Sequence, residues 1–553
     1  MARLDYFAPG VYVEEVDRGS RPVEGVSTAI AGFIGFTEDV RGDAELFKPM
    51  LITNWTQYLN YFSRPNSDGF TDFNAYLPFS VYGYFMNGGG RCWVTSIGTQ
   101  LPGAPRPRTP EPVTRQLTGR GNRPSINLTL RPEQIAGGTV MVLITDSIPR
   151  ALPEGTEGEA PPNTGEYFSI QIQRGEEVLE RYDNLTMNQE ATAQVATYAL
   201  EALRASMYVT AEDTARTGQP LARRPAKGQF ELAPPLATSS PDRFAVELEG
   251  IRDDRTGVRG LFEIDEITMI ACPDLMRVYE AQVMNLEQVH GIMELVISMC
   301  EGAAAGDIPN PPNRMVLLDP PPNFVKPQEV ANWLAQFNRR SMFAALYYPW
   351  IKVANPRNGG RPILVPPCGH MMGVWGRTDE TRGVYKAPAN EVPRGVIGLG
   401  YDSNFREQEL LNPLGINCIR SFPNRGIRIW GARTLVEPDK TEWRYISVRR
   451  LMSYIEKSIE LGTQWAVFEP NDEDLWARIK RIISNFLERV WREGGLFGSS
   501  PEQAFYVKCD EELNPPESRM LGRLYIEVGV CPVRPAEFVV FRISQWNGTE
   551  EGE

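Results

Sequence analysis

Residues 314–353 read RMVLLDPPPNFVKPQEVANWLAQFNRRSMFAALYYPWIKV, and two periodicities alternate within them. RMVLLDPPP is a short apolar run ending in a proline turn, which reads as a strand. KPQEVANWLAQFN (326–338) reads as a helix, and FAALYYPWIKV (343–353) as a second strand with a wet aromatic end. Strand, helix and strand at this spacing are the signature of a mostly parallel sheet covered by helices.

The alternation extends outward. LFEIDEITMIACPDL (261–275) carries a strand that ends near Pro273, and VHGIMELVISMCEG (289–302) is helical. Toward the N-terminus, VSTAIAGFIGFT (26–37) reads as a buried strand whose glycines allow close backbone approach. TNWTQYLNYF (53–62) reads as a helix capped by Thr53 or Asn54. Residues 74–98 give a helix stopping at Gly88–Gly90, then the strand RCWVTSI. Toward the C-terminus, 360–376 reads as a loop and a short helix, and GARTL (431–435) precedes an expected strand, WRYISVRRL.

The strongest helix signal is DEDLWARIKRIISNFLERVWREG (472–494). Leu475, Ile479, Ile482 or Ile483, Phe486 and Val490 form its apolar stripe, with Asn471 as the expected cap and Gly494–Gly495 as terminator. Its polar face is basic, through Arg478, Lys480, Arg481, Arg489 and Arg492. A merely solvated face is the plain alternative for each of them.

Each end of the chain holds a short strand signal. YFAPGVYVEEV (6–16) sets Val11 and Val13 on one face, with Tyr12, Glu14 and Val16 on the other. In RLYIEVGVCPV, Leu524, Ile526, Val528 and Val530 share a face, and Gly529 marks a site of close approach. In EFVVFRISQ (537–545), Val539, Phe541 and Ile543 share a face while Phe538 and Val540 share the other, so cover is needed on both sides. A strand must find partners for its N–H and C=O groups, within the chain or in a neighbour.

From residue 99 the composition changes. QLPGAPRPRTPEPVTRQLTGRGNRP (100–124) is linker-like, strand signals follow it, and a Pro/Ser-rich run covers 217–241 before FAVELEGI (244–251). The block 101–258 therefore reads as a β-rich inserted domain, with Phe168, Ile170 and Ile172 on its buried face.

At 553 residues, more than one domain is expected. A formal net charge of −13 argues against a general nucleic-acid coat, without excluding a local basic patch. MARLDYFAPG lacks an apolar signal region, and no apolar run approaches the roughly 18–20 residues that span a bilayer. The expectation is a soluble chain made and assembled in the cytoplasm, reaching any membrane through partners. Cys92, Cys272, Cys300, Cys368, Cys418, Cys509 and Cys531 are dispersed without a CxxC pair, as reduced structural thiols would be.

Catalytic chemistry finds little support. With only His290 and His370 present, a zinc site or histidine base lacks material. Cys368 and His370 sit on one Pro/Gly turn and are expected to point apart. Asp265, Asp274 and Asp319 lie near strand ends, where three carboxylates can hold Mg²⁺, yet no nucleotide or hydrolase motif accompanies them. Gly88–Gly90 follow a helix and precede a strand, the reverse of a phosphate cradle. No enzyme activity, metal or cofactor is expected.

Longer motifs resemble those of contractile phage tail sheath proteins, or of the sheath of a phage-tail-like contractile injection system. They are YFAPGVYVEEVDRGSRPVEGVSTAIAGFIGFT (6–37), FMNGGGRCWVTSI (85–97), LYYPWIKVANP with VPPCGHMMGVWGRTDETRGVYKAPAN (365–390), LNPLGINCIRSFPNRGIRIWGARTL (411–435) and YISVRRLMSYIEKSIELGTQWAVFEPND (445–472), with the terminal strands. The resemblance spans both ends and the second half; 101–258 carries no clear match.

The resemblance implies an α/β (α+β) sheath core with a mostly helix-covered sheet, terminal strand arms and an inserted β-rich outer domain. Its divisions would be an N-terminal arm (1–20), core (21–100), insert (101–258), core (259–512) and a C-terminal strand and arm (513–553). It further implies stacked six-membered rings around an inner tube protein, with baseplate and tail-terminator or cap partners. Contraction would drive the tube through a target envelope. Val11, Tyr12, Val13, Glu14 and Val16 would link subunits at one end, and Phe538, Val539, Val540, Phe541 and Ile543 at the other, by strand addition. Joints are expected at Arg18–Glu24 and Asn514–Ser518, with Arg478, Lys480, Arg481, Arg489 and Arg492 facing the tube. Neither nucleic acid nor a membrane span is implied. The alternatives are a non-contractile tail or shell protein, and an α/β enzyme with an appended β domain.

Overall fold

The computed structural model describes residues 23–102, 113–119, 123–131, 134, 140–148, 165–174, 177–191, 195–214, 218–232, 241–302 and 313–542. The N-terminal strand signal (Val11, Tyr12, Val13, Glu14, Val16) and Ile543 lie outside them. The chain divides into two compact units, with the divisions falling after Gly98 and after Pro241.

The larger unit is built on an eight-stranded sheet. Its spatial order is Gly426–Ile429, Ile416–Phe422, Ala344–Tyr348, Met315–Leu318, Met269–Ala271, Ala31–Gly35, Cys92–Ser96 and Pro49–Ile52. The six inner strands pair in parallel, and only the two edge strands run antiparallel. Every residue of AGFIG, MIA, MVLL and AALYY is buried. Such continuous apolar strands require cover on both faces, as a parallel sheet receives from its crossover helices.

Helices Tyr76–Met86, Leu286–Cys300, Pro327–Phe337 and Cys368–Arg382 belong to that cover. A Cβ added to Gly373 would lie 2.5 Å from the Tyr84 carbonyl oxygen, so this glycine permits two helices to touch through their backbones. Asn54 caps Trp55–Phe62 by accepting the Gln57 N–H at 2.9 Å. Asn285 and Gln288 form a reciprocal capping box on Leu286–Cys300.

Several readings change. The aromatic end of FAALYYPWIKV is dry: Tyr347, Tyr348 and Trp350 are all buried. Tyr348 Oη donates to the Val325 carbonyl at 2.7 Å, Trp350 Nε1 to that of Pro320 at 2.9 Å, and Trp375 Nε1 to Tyr347 Oη at 2.9 Å. Internal partners thus replace water at their polar tips. A cis Tyr348–Pro349 peptide follows, and Ile351–Ala354 joins Pro362–Val365 and Val396–Leu399 in a small antiparallel sheet. The short helix of 360–376 is the 15-residue Cys368–Arg382.

The strand expected at WRYISVRRL is instead the start of helix Ile446–Thr463, whose buried face includes Arg449 and Arg450 beside Ile446, Leu451 and Ile455. FAVELEGI, counted with the insert, belongs to helix Pro241–Glu249, and Phe244 stacks on Phe36 of the larger unit at 5.8 Å. The compact division therefore falls at 241 rather than 258.

The smaller unit holds two sheets. One has five strands in the order Gly228–Leu232, Val140–Asp146, Phe168–Arg174, Glu177–Thr186 and Thr197–Tyr198. The other has Val209–Asp213, Pro124–Leu130 and Thr114–Thr118. Phe168, Ile170 and Ile172 are fully buried, packed in one core with Val142, Ile144, Ile126 and Leu128.

Candidate assembly surfaces

The side chains that suggested chemistry are spent on packing. Cys368 is buried, its N–H donating to Asp319 Oδ1 at 3.1 Å, and burial reinforced by that neighbouring acid pushes its thiol up. His370 packs against Gly83, and burial pulls its pKa down to about 4, so it is neutral at physiological pH. Asp265 is exposed, whereas Asp274 and Asp319 are buried. Among the described residues no group of three or more His, Cys, Asp or Glu side chains can hold a metal ion. Gly88 adopts φ +106° and the Gly89 N–H returns to the Tyr84 carbonyl at 2.9 Å, closing the helix as a turn.

Helix Glu473–Arg492 buries Leu475, Ile479, Ile482, Ile483, Phe486 and Val490, with Trp476 and Leu487 widening the stripe. Its cap is Asp472, which accepts the Leu475 N–H at 2.9 Å. Asn471 instead takes the Trp476 indole N–H at 2.8 Å and donates to the Arg523 carbonyl at 2.9 Å.

The five basic residues do not act alike. Arg478 lies over the Trp465 ring at 5.6 Å. Arg489 donates to the Val23 carbonyl at 2.8 Å, and Arg492 pairs with Glu488 one turn away. Lys480 is half-buried and Arg481 exposed. Arg478 and Arg481 are thus the members best placed to meet a partner.

A two-stranded antiparallel sheet, Phe505–Lys508 with Glu527–Val530, lies on this helix. Val507, Leu524, Ile526, Val528 and Val530 pack against the cluster built on the helix stripe. Tyr506 faces Gly529 across the pair, and a Cβ on Gly529 would strike the Tyr506 ring. Among the described residues, the outer edge of neither strand has a backbone partner.

Beyond this sheet, Phe538, Val539, Val540 and Phe541 are 73%, 70%, 79% and 82% exposed, and they form no strand with the described residues. Four consecutive large apolar residues in water are costly unless something else covers them.

The roots of both ends are fixed. Val23 is buried, packed at Gly462, so the expected joint at Arg18–Glu24 does not include it. Thr28 Oγ1 donates to Asp379 at 2.6 Å, Arg450 pairs with the same carboxylate, and Arg450 Nη2 donates to the Thr28 carbonyl at 2.9 Å. At the expected joint Asn514–Ser518 the chain is bonded in place. Asn514 is buried, accepts the Tyr525 N–H at 2.7 Å and donates to the Tyr525 carbonyl at 3.0 Å, and helix Pro516–Met520 follows. The buried arginines Arg433, Arg449 and Arg450 escaped the sequence reading, because an inward-facing ion pair has no periodic signature.

Residues 312–435 match the phage tail sheath protein central domain, and residues 439–545 the phage tail sheath C-terminal domain. The second half of this chain matches the phage tail sheath family. The chain is 27% identical over 212 residues to the tail sheath protein of Burkholderia phage BcepMu, covering 37% of this chain and 43% of that one. It is 27% identical over 191 residues to that of Salmonella phage ViI, covering 34% and 29%. These alignments span less than half of either relative.

The fold extends further than the sequence likeness. The helical sheath of the anti-feeding prophage in its contracted state superposes with a TM-score of 0.56 at 22% identity, over 98% of this chain and 100% of that one. The contracted PVC sheath complex of an extracellular contractile injection system gives 0.55 at 21%, over 98% and 99%. The chain therefore has the fold of proteins seen in contracted sheaths.

Proposed function

We propose that this chain is the structural subunit of a contractile sheath. Subunits form six-membered rings stacked helically around an inner tube protein on a baseplate, closed by a terminator or cap. Contraction drives the tube through a target envelope, and the terminal arms tie subunits together by strand addition. The observation that carries the reading is the pairing of an exposed apolar segment, Phe538–Phe541, with a sheet whose edges are open.

Strand addition draws affinity from main-chain hydrogen bonds and specificity from alternate side chains. Each hydrogen bond is worth about 0.5–1.5 kcal/mol net. Burying Val539 or Phe541 adds roughly 1.5–3 kcal/mol apiece. Such a tether holds while subunit bodies slide between two packings, and better body-to-body contact in the shorter state supplies the drive. No nucleotide is required.

Residues 11–16 are assigned the matching role at the other end. Removing residues 538–553 is expected to leave a folded protein that no longer forms long sheaths in electron micrographs. Sheaths of normal length and contractility from that variant would overturn the arm assignment.

A further inference from the structure

Glu537 is the last residue of the described C-terminal segment that is bonded to the body of its own chain. Just upstream, the Val533 N–H donates to the Gly495 carbonyl at 3.1 Å. The Glu537 carboxylate then accepts Arg433 Nε at 2.9 Å and Arg433 Nη2 at 2.6 Å, Asn412 Nδ2 at 2.8 Å and Tyr445 Oη at 3.0 Å.

Three separate parts of the chain supply these donors: the turn Asn412–Leu414, the segment after strand Gly426–Ile429, and the residue capping helix Ile446–Thr463. Arg433 is itself 8% exposed, and its Nη1 donates to the Asn412 carbonyl at 3.0 Å. Its backbone is held by the fully buried Asn417, which accepts the Arg433 N–H at 2.7 Å and donates to its carbonyl at 2.8 Å. Asn417 also donates to Leu346 of the central sheet at 3.1 Å, so the receiving site is rigid.

One residue later the chain is bare, with Phe538 at 73% exposure. The change from four donors to none within one peptide step defines a pivot. An exposed ion pair would contribute little there. This pair is forked, partly buried and part of a connected network, the arrangement in which charge-assisted bonds position a chain.

We propose that the Glu537–Arg433 clasp is the hinge pin of the C-terminal arm. It fixes where and in what direction the arm leaves the body, so bending in the assembled lattice begins at Phe538 and not near Asn514–Ser518. Glu537 is a positioning residue: it touches no neighbour itself but aims the four residues that do. The role in assembly rests on the reading of 538–541 as a strand donor, whereas the pin within one subunit does not.

The full chain, Glu537→Gln and the charge swap Glu537→Arg with Arg433→Glu separate these points by hydrogen exchange and electron microscopy. Glu537→Gln should lower thermal stability modestly, leave exchange elsewhere unchanged, raise exchange in 533–537 at least tenfold, and give short or irregular sheaths. The swap should restore part of the protection. Unchanged exchange in 533–537 of Glu537→Gln overturns the pin. Normal sheaths from Glu537→Gln, when removal of 538–553 abolishes them, overturn its role in assembly while leaving the arm intact. Normal sheaths after removal of 538–553 overturn the arm assignment and with it the assembly role of the pin.

Discussion

The Asp274 carboxylate accepts N–H groups from Phe36 at 2.7 Å, Tyr76 at 2.5 Å and Leu77 at 3.2 Å. One side chain therefore caps helix Tyr76–Met86 from outside and anchors the end of strand Ala31–Gly35. The sequence placed Asp274 at a strand end, where a metal ligand and a structural cap look alike. Burial pushes its pKa up to about 7 against the pull of those three N–H donors, and burial likewise pushes Asp319 up to about 7.

The folded state thus holds a proton that the unfolded chain releases near 3.8. The resulting stability is fully present below that value and is lost as pH rises toward about 7. Denaturation midpoints should fall across this window, and Asp274→Asn should flatten part of the slope. Asp274→Ala leaves three buried donors unpaired and should cost roughly 1–3 kcal/mol per stranded group at most, read from the same midpoints.

Glu537 behaves in the opposite sense. Burial raises its pKa, but the bonds from Arg433 and Asn412 outweigh it and hold the carboxyl below its ordinary 4.5. The clasp is therefore complete above that range and is lost only as pH falls through the lower folded value. Protection factors at 533–537, with the intrinsic pH dependence of amide exchange divided out, should stay constant from pH 8 down to about 5, which the same hydrogen-exchange experiment checks.

At the scale of elements, legibility followed periodicity. Helix Glu473–Arg492 was readable because Leu475, Ile479, Phe486 and Val490 repeat with its turn. Its cap was misplaced by one residue, since Asn471 and Asp472 are both competent and only the fold sends Asn471 to Trp476. Asp472→Ala should destabilise by about 0.5–2 kcal/mol in thermal or chemical melts.

WRYISVRRL was misread because Ile446 and Val448 favour strands and because Arg449 and Arg450 look like exposed residues. In the fold they turn inward, Arg449 onto Glu456 and the Phe343 ring, Arg450 onto Asp379 and the Trp375 ring. A buried polar partner such as Asp379, 71 residues from Arg450, leaves no trace in a local pattern. On the basic face, reversing Arg478 and Arg481 to Glu should weaken association with the inner tube without unfolding the chain. Reversing Arg492, already paired with Glu488, should change association less. Co-sedimentation of sheath with tube measures both.

For the whole molecule, the central sheet was legible from its all-apolar strands, and the smaller compact unit ends at Pro241, short of the expected 258. The direction of the C-terminal arm was not legible, because it depends on Arg433 and Asn412 meeting Glu537 across more than a hundred residues of sequence. A body with fixed chain roots and an exposed apolar tail is suited to a lattice that changes spacing without losing connectivity.

Electron microscopy of particles containing the full chain, before and after a contraction trigger, tests that claim most directly. The account predicts one sheath in two forms, long and narrow, then short and wide, with the same number of subunits around an inner tube. A rigid tube of a single length, or a closed cage, would contradict it.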